Sequence, residues 1–130
     1  HANTFGGNLL ACAAGIATLN YMRRKRLGQN ALQIGRLMMK RLKEIQESYE
    51  IVGDVRGLGL MIGVEIVKDK KSKKYGIVER NRILCKASEK GLLLLPAGTS
   101  TIRICPPLVI NKKQALQGID ILEDAIREAR

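Results

Sequence analysis

Two places in the sequence hold residues whose type and spacing could do chemistry. Thr4-Phe5-Gly6-Gly7-Asn8 stands immediately before a helix-forming run. A hydroxyl and small residues at a helix N-terminus, where backbone N–H groups and the dipole point outward, favour an anion such as phosphate. The same composition also serves as a glycine-rich cap with no ligand. The second place is Arg103, in Thr101-Ile102-Arg103-Ile104-Cys105. Strand alternation puts Ile102 and Ile104 on one face and Arg103 on the other. A guanidinium there can hold a carboxylate through two parallel hydrogen bonds, which lysine does less well, or it can simply be solvated.

Little else in the chain offers acid, base or nucleophile groups in combination, and no catalytic residue is expected within it. His1 is the single histidine, and the three cysteines, Cys12, Cys85 and Cys105, stand far apart among apolar neighbours. Without a histidine partner they read as packing residues, and neither a metal site nor a disulfide framework is expected. The run Arg56-Gly57-Leu58-Gly59-Leu60-Met61-Ile62-Gly63 has the glycines of a dinucleotide fingerprint, but the third falls one place late and they precede a strand instead of following one.

The elements that must position Thr4 and Arg103 can be read from periodicity. Residues 8–27 predict a helix apolar almost all round in its first half, with Ala11, Ala13, Ala14, Gly15 and Ala17 allowing close backbone approach, hence buried on most sides. Gly28 is read as an interruption. A second helix of about 20 residues follows, with Ile34, Leu37, Met38, Leu42 and Ile45 on one stripe against Arg36, Lys40, Lys43, Glu44 and Glu47. Residues 58–67, rich in β-branched side chains, predict a strand, and residues 68–74 a solvated connection. Ile77, Val78, Leu84, Cys85 and Ala87 mark a third helix ending at Gly91. Residues 92–95 and 101–105 predict a hairpin around Pro96-Ala97-Gly98-Thr99. Pro106-Pro107 ends it, and Asn111 with Gln114 resembles a capping box opening a last helix with Ala115, Ile119, Leu122 and Ile126 inward. The order α-α-β-α-β-β-α, with a small partly antiparallel sheet packed by helices, makes an α+β domain spanning residues 1–130.

A net charge of +11 would suit nucleic acid or an anionic membrane surface. The basic residues, however, fall into separate clusters (Arg23-Arg24-Lys25-Arg26, Lys40-Arg41-Lys43, residues 68–74), and one phenylalanine and three tyrosines offer few platforms for stacking bases. Solvated helix ends and turns explain the clusters, so no specific nucleic-acid partner is expected, and a small basic nucleic-acid-binding module is kept as an alternative. The longest apolar run, residues 9–19, falls short of the roughly 20 residues that span a bilayer, and no membrane partner is expected. The cysteine usage fits a reducing cytoplasm. A chain that starts at His1, inside motif-like sequence, reads as an excerpt of a longer one.

Three stretches taken together resemble the last third of class III aminotransferases, of the acetylornithine and 4-aminobutyrate type. They are His1-x-x-Thr4-Phe5-Gly6-Gly7-Asn8-x-Leu10-Ala11-Cys12-Ala13-Ala14; Val55-Arg56-Gly57-x-Gly59-Leu60-Met61-x-Gly63-Val64-Glu65; and Arg103-x-x-Pro106-Pro107-Leu108. The resemblance covers the whole chain. It implies the small C-terminal domain of the fold type I transferases that use pyridoxal 5'-phosphate, in an enzyme that works as a homodimer. The lysine that holds the cofactor covalently would lie upstream in an absent larger domain, so the fragment alone would be inactive and would not retain the cofactor. By the same resemblance Thr4 would reach the cofactor phosphate of the other subunit, Arg103 would receive the substrate carboxylate, and Gly98 would sit near the pocket mouth. The implied reaction moves an amino group from an ω-amino acid (4-aminobutyrate, acetylornithine or ornithine) to a 2-oxo acid; an amino-acid racemase of the same family is the alternative. One departure is Leu9, where many members carry proline; proline would fix φ for the first helical turn.

Overall fold

A computed structural model describes residues 3–129. Its elements run α1 (Leu9–Arg24), α2 (Leu27–Ser48), β1 (Val52–Leu58), β2 (Met61–Ile66), α3 (Ile77–Glu89), β3 (Leu95–Ala97), β4 (Thr101–Ile104) and α4 (Lys112–Glu128). The class is α+β, as expected. The four strands form one sheet in the order β1-β2-β4-β3, and every pairing is antiparallel.

The order holds one strand more than the pattern predicts. The stretch 58–67 is not a single strand: Leu58 ends β1, the chain reverses through Gly59 and Leu60, and β2 starts at Met61. Gly59 has φ 57, the left-handed conformation that glycine adopts without steric cost. The reversal is tight because it lies under α2: a Cβ on Gly35 would come within 2.1 Å of the Gly59 carbonyl oxygen. β1 escapes period-two reading because the register shifts between Val52 and Asp54, leaving Gly53 as the extra residue of a bulge.

One face of the sheet is the core. Val52, Val55, Ile62, Val64, Ile66, Ile102 and Ile104 point inward and pack with Met38, Leu42 and Ile45 of α2, Ile83 and Ala87 of α3, and Ala115, Ile119, Leu122 and Ile126 of α4. Helix α4 starts as its sequence demands: Asn111 Oδ1 accepts from the Gln114 N–H at 2.9 Å, and Gln114 Oε1 accepts from the Asn111 N–H at 3.2 Å. Helix α3 ends at Gly91, φ 84; the Gly91 N–H bonds the Ser88 carbonyl at 3.0 Å and the Leu92 N–H the Ala87 carbonyl at 2.8 Å. That pair of bonds is a Schellman termination.

Three local expectations need correction. The break between the first helices is at Lys25 and Arg26, not Gly28: Arg26 takes φ 49, Leu27 is buried, and Gly28 lies inside α2. The hairpin strands are shorter and shifted, so that β3 begins at Leu95 and includes Pro96 and Ala97. Most consequential, α1 buries none of its residues, with Leu9, Leu10, Ile16 and Leu19 all more than 60% exposed. Its small apolar side chains mark a helix made to be covered, and the covering surface is not among the described residues.

Candidate active site

The outer face of the sheet carries the polar groups. The register aligns Arg56 of β1, Gly63 of β2, Arg103 of β4 and Leu95 of β3 in one cross-strand row. The next row is Asp54, Glu65, Thr101 and Ala97. Because Gly63 has no side chain, Arg56 lies across β2. Its Nη1 donates to Asp54 Oδ2 at 2.9 Å and Glu65 Oε2 at 3.2 Å, and its Nη2 reaches Thr101 Oγ1 at 3.5 Å. The Asp54 hydrogen bond, followed by Glu65, raises the Arg56 pKa, so this guanidinium is a permanently charged and neutralised strut.

Arg103 differs in the respect that matters for binding. Ile102 and Ile104 on either side of it are buried, which fixes the strand, while Arg103 is exposed on the outer face as its alternation predicts. Among the described residues it makes no ion pair or side-chain hydrogen bond. Of two arginines flanking Gly63, one is neutralised by carboxylates and the other has no side-chain partner among the described residues. Beside Arg103, between the segment entering β3, the Pro106-Pro107 turn and α4, lies a cavity of 340 Å³.

Thr4 is exposed, in a turn of residues 4–7 that leads into α1. Gly7 has φ 78, and Asn8 caps the helix, its Oδ1 accepting from the Ala11 N–H at 3.0 Å. No acidic side chain lies in the first turn of α1, whereas Arg23 and Arg24 lie in the last, so the local field at the N-terminus favours an anion. These residues fit one edge of a phosphate-bearing cofactor: a hydroxyl donor beside a helix start without competing carboxylates. Thr4 stands at the end of α1 remote from α2, a helix length of about 24 Å from the junction, and it shares no site with Arg103. Gly98 takes φ 51 in the turn between β3 and β4, where an added Cβ would meet nothing within 4 Å. It is at the other end of β3 from the cavity and does not line it.

Arg56 is the residue that sequence reasoning passed over. It stood inside a quoted motif, and the signal for it was the recurrence of acidic residues at Asp54 and Glu65 around two glycines. That signal becomes readable only once β1 is recognised as a strand paired with β2.

The sequence profile of the family described as aminotransferase class-III matches residues 1–126. A leucine/methionine racemase of Thermococcus litoralis is 41% identical over 98% of this chain, which covers 29% of that protein. An acetylornithine aminotransferase of Caldanaerobacter subterraneus is 35% identical over 100% of this chain, covering 31% of its own length. The solved structure of an amine transaminase from an uncultivated Pseudomonas species, in its PLP-bound form, superimposes with a TM-score of 0.92 at 32% identity, over 100% of this chain and 30% of that one. The chain thus spans less than a third of the length of these relatives, and by profile, sequence and fold together it belongs to the class-III aminotransferases.

Proposed function

We propose that this chain is the small C-terminal domain of a pyridoxal-phosphate-dependent aminotransferase that moves an amino group from an ω-amino acid to a 2-oxo acid, working in the cytoplasm as a homodimer. The observation that carries the reading is the contrast across Gly63: Arg56 is neutralised by Asp54 and Glu65, and Arg103, on the same face, has no partner among the described residues. A fixed, uncommitted guanidinium is suited to orient a substrate by its carboxylate. Thr4, at the outer end of an arm whose apolar surface is uncovered, would in this reading donate a hydrogen bond to the cofactor phosphate of a second subunit. Pyridoxal phosphate, when bound, supplies the electron sink for the chemistry at the amine carbon. The domain's part is to grip the carboxylate, contact the phosphate and exclude water; proton transfer belongs to residues upstream of it. The 130-residue chain by itself is expected to be inactive and not to retain the cofactor.

A second reading, an amino-acid racemase with the same carboxylate clamp, is favoured by the 41% identical relative of that activity. The test takes the longer protein that carries these residues, with pyridoxal phosphate, 2-oxoglutarate and a panel of ω- and α-amino acids. Glutamate formation, impaired in Arg103→Ala for carboxylate substrates and accompanied by weaker cofactor retention in Thr4→Ala, supports transamination. Inversion of an amino acid without glutamate moves the reading to racemisation, and neither activity overturns both.

A further inference from the structure

Glu65 stands between two arginines. In the register of β1 and β2, Asp54 faces Glu65 and Arg56 faces Gly63; in that of β2 and β4, Gly63 faces Arg103 and Glu65 faces Thr101. Arg56 and Arg103 are therefore both diagonal neighbours of Glu65 on the same face of the sheet, one from each side. Such diagonal positions lie roughly 7–8 Å apart, a gap that side chains as long as arginine and glutamate close. Glu65 takes only one of the two. Its Oε2 accepts from Arg56 Nη1 at 3.2 Å, and no ion pair joins it to Arg103 among the described residues.

Arg56 wins the carboxylate because it is anchored at more points. Its Nη1 also donates to Asp54 Oδ2 at 2.9 Å, and its Nη2 reaches Thr101 Oγ1 at 3.5 Å. The cross-strand partners of Arg103 are Gly63 and Leu95, neither of which can hold a guanidinium by its side chain. Without Arg56 the balance reverses. Asp54 would keep Lys43 at 3.9 Å, whose Nζ is shared with Gln46 Oε1 at 3.0 Å. Glu65 has Arg56 as its one ion-pair partner among the described residues. Half-buried and unpaired, it would gain by turning to the guanidinium on its other diagonal, that of Arg103.

We infer that Arg56 is a positioning residue for Arg103: by holding Glu65 it keeps a carboxylate of the protein's own from occupying the Arg103 guanidinium. An internal carboxylate on Arg103 competes with an external one, so apparent affinity for the latter falls with the fraction of molecules in which Arg103 is free. The effect is on binding, and KM rather than kcat carries it. The inference rests on the proposed function only where Arg103 is taken to receive a substrate carboxylate; the choice of Glu65 between two arginines stands without it.

The first arm of the test needs no substrate. Phenylglyoxal, which condenses with accessible guanidinium groups, is applied to the 130-residue chain, and the rate at Arg103 is read by peptide mass spectrometry. Arg56→Gln should slow the Arg103 reaction about two- to fivefold, the range that a partly exposed ion pair spans. Arg56→Gln combined with Glu65→Gln should restore the original rate, and Arg56→Lys, which leaves Glu65 a cation, should hold it. The Arg56 side chain is 55% exposed and outside the core, so these changes leave the fold in place. An Arg103 rate unmoved in Arg56→Gln overturns the inference, because Glu65 has then turned elsewhere. A rate that stays slow once Glu65 is also replaced overturns it too, because Arg56 then acts only through the shape of the sheet. The second arm takes the longer protein that carries these residues. Arg56→Gln should raise KM for a carboxylate substrate about two- to fivefold with kcat kept, and Glu65→Gln should reverse the rise. If the phenylglyoxal rates change as expected while KM does not move, Glu65 chooses as inferred and it is the carboxylate role of Arg103 in the proposed function that falls.

Discussion

Arg56 reaches Thr101 across a strand that offers only hydrogen in between: Arg56 Nη2 lies 3.5 Å from Thr101 Oγ1, over Gly63. A Cβ on Gly63 would come within 3.1 Å of Thr101 Cγ2. Gly63→Val therefore forces either Thr101 or the Arg56 guanidinium aside. The expected outcome is a loss of about 1–3 kcal/mol in urea unfolding, typical of overpacking, with a changed Arg56 environment in guanidinium NMR. An unchanged unfolding midpoint would show that the face is more yielding than its geometry implies.

Two glycines of α2 should respond oppositely to the same substitution. At Gly35 an added methyl would collide with the Gly59 backbone, the carbonyl oxygen at 2.1 Å, so helix and turn must separate. Gly35→Ala is expected to destabilise by about 3 kcal/mol. At Gly28 an added Cβ meets nothing within 4 Å. There Gly28→Ala should stabilise by about 0.4–1 kcal/mol, by restricting the unfolded chain. Thermal unfolding of the two variants side by side checks both signs.

The reciprocal Asn111 and Gln114 bonds satisfy donors at the start of α4 that the helix itself cannot. Asn111→Ala should cost about 1 kcal/mol, and hydrogen exchange should quicken in the first turn of α4 ahead of the rest of the helix. Uniform quickening along the helix would mean that packing of the α4 stripe, not the cap, sets its stability.

Asp69 organises the turn after β2, its Oδ1 accepting from the Ser72 N–H at 2.7 Å and its Oδ2 from the Ser72 hydroxyl at 2.5 Å. The Ser72 hydroxyl bond, followed by the backbone bond, holds this carboxyl below its ordinary 3.8. A depressed carboxyl stabilises the fold above its unfolded pKa, and the contribution is lost as pH falls through the lower folded value. Carboxyl NMR should thus find Asp69 ionised below pH 3.8, and Ser72→Ala should return it toward 3.8. If the titration does not move in Ser72→Ala, the backbone N–H bonds and the neighbouring Lys74, and not the Ser72 hydroxyl, hold the carboxyl down.

Helices α2, α3 and α4 were legible in the sequence because each carries a one-sided stripe, and α3 and α4 a recognisable end as well; α1, apolar almost all round, carries no such stripe, and its boundary with α2 was read at Gly28 instead of Lys25 and Arg26. Gln114 follows Asn111 at cap spacing, Gly91 stands at the end of α3, and Ile119, Leu122 and Ile126 recur on one face. Strand β1 was not legible. Gly53 interrupts its alternation, and Asp54, Arg56 and Gly57 on or near the outer face dilute its hydrophobicity. Once β1 is missing, the two-arginine row is missing too, since Arg56 and Arg103 are neighbours only through Gly63. The outward face of Arg103 could be read from Ile102 and Ile104, two buried residues of known period. Its freedom from carboxylate partners could not, because it depends on Asp54 and Glu65 being held by Arg56.

Helix α1 leaves Leu9, Leu10, Ile16 and Leu19 to water. A segment of this length gains little helical stability from its own hydrogen bonds and depends on a surface to lie against. The remaining helices and the sheet share one core that does not include α1. Under the proposed homodimer, secondary structure at this end of the chain becomes a readout of association: ellipticity at 222 nm should fall on dilution while the core's cooperative melt stays where it was, and a concentration-independent signal would mean that a second copy does not cover α1.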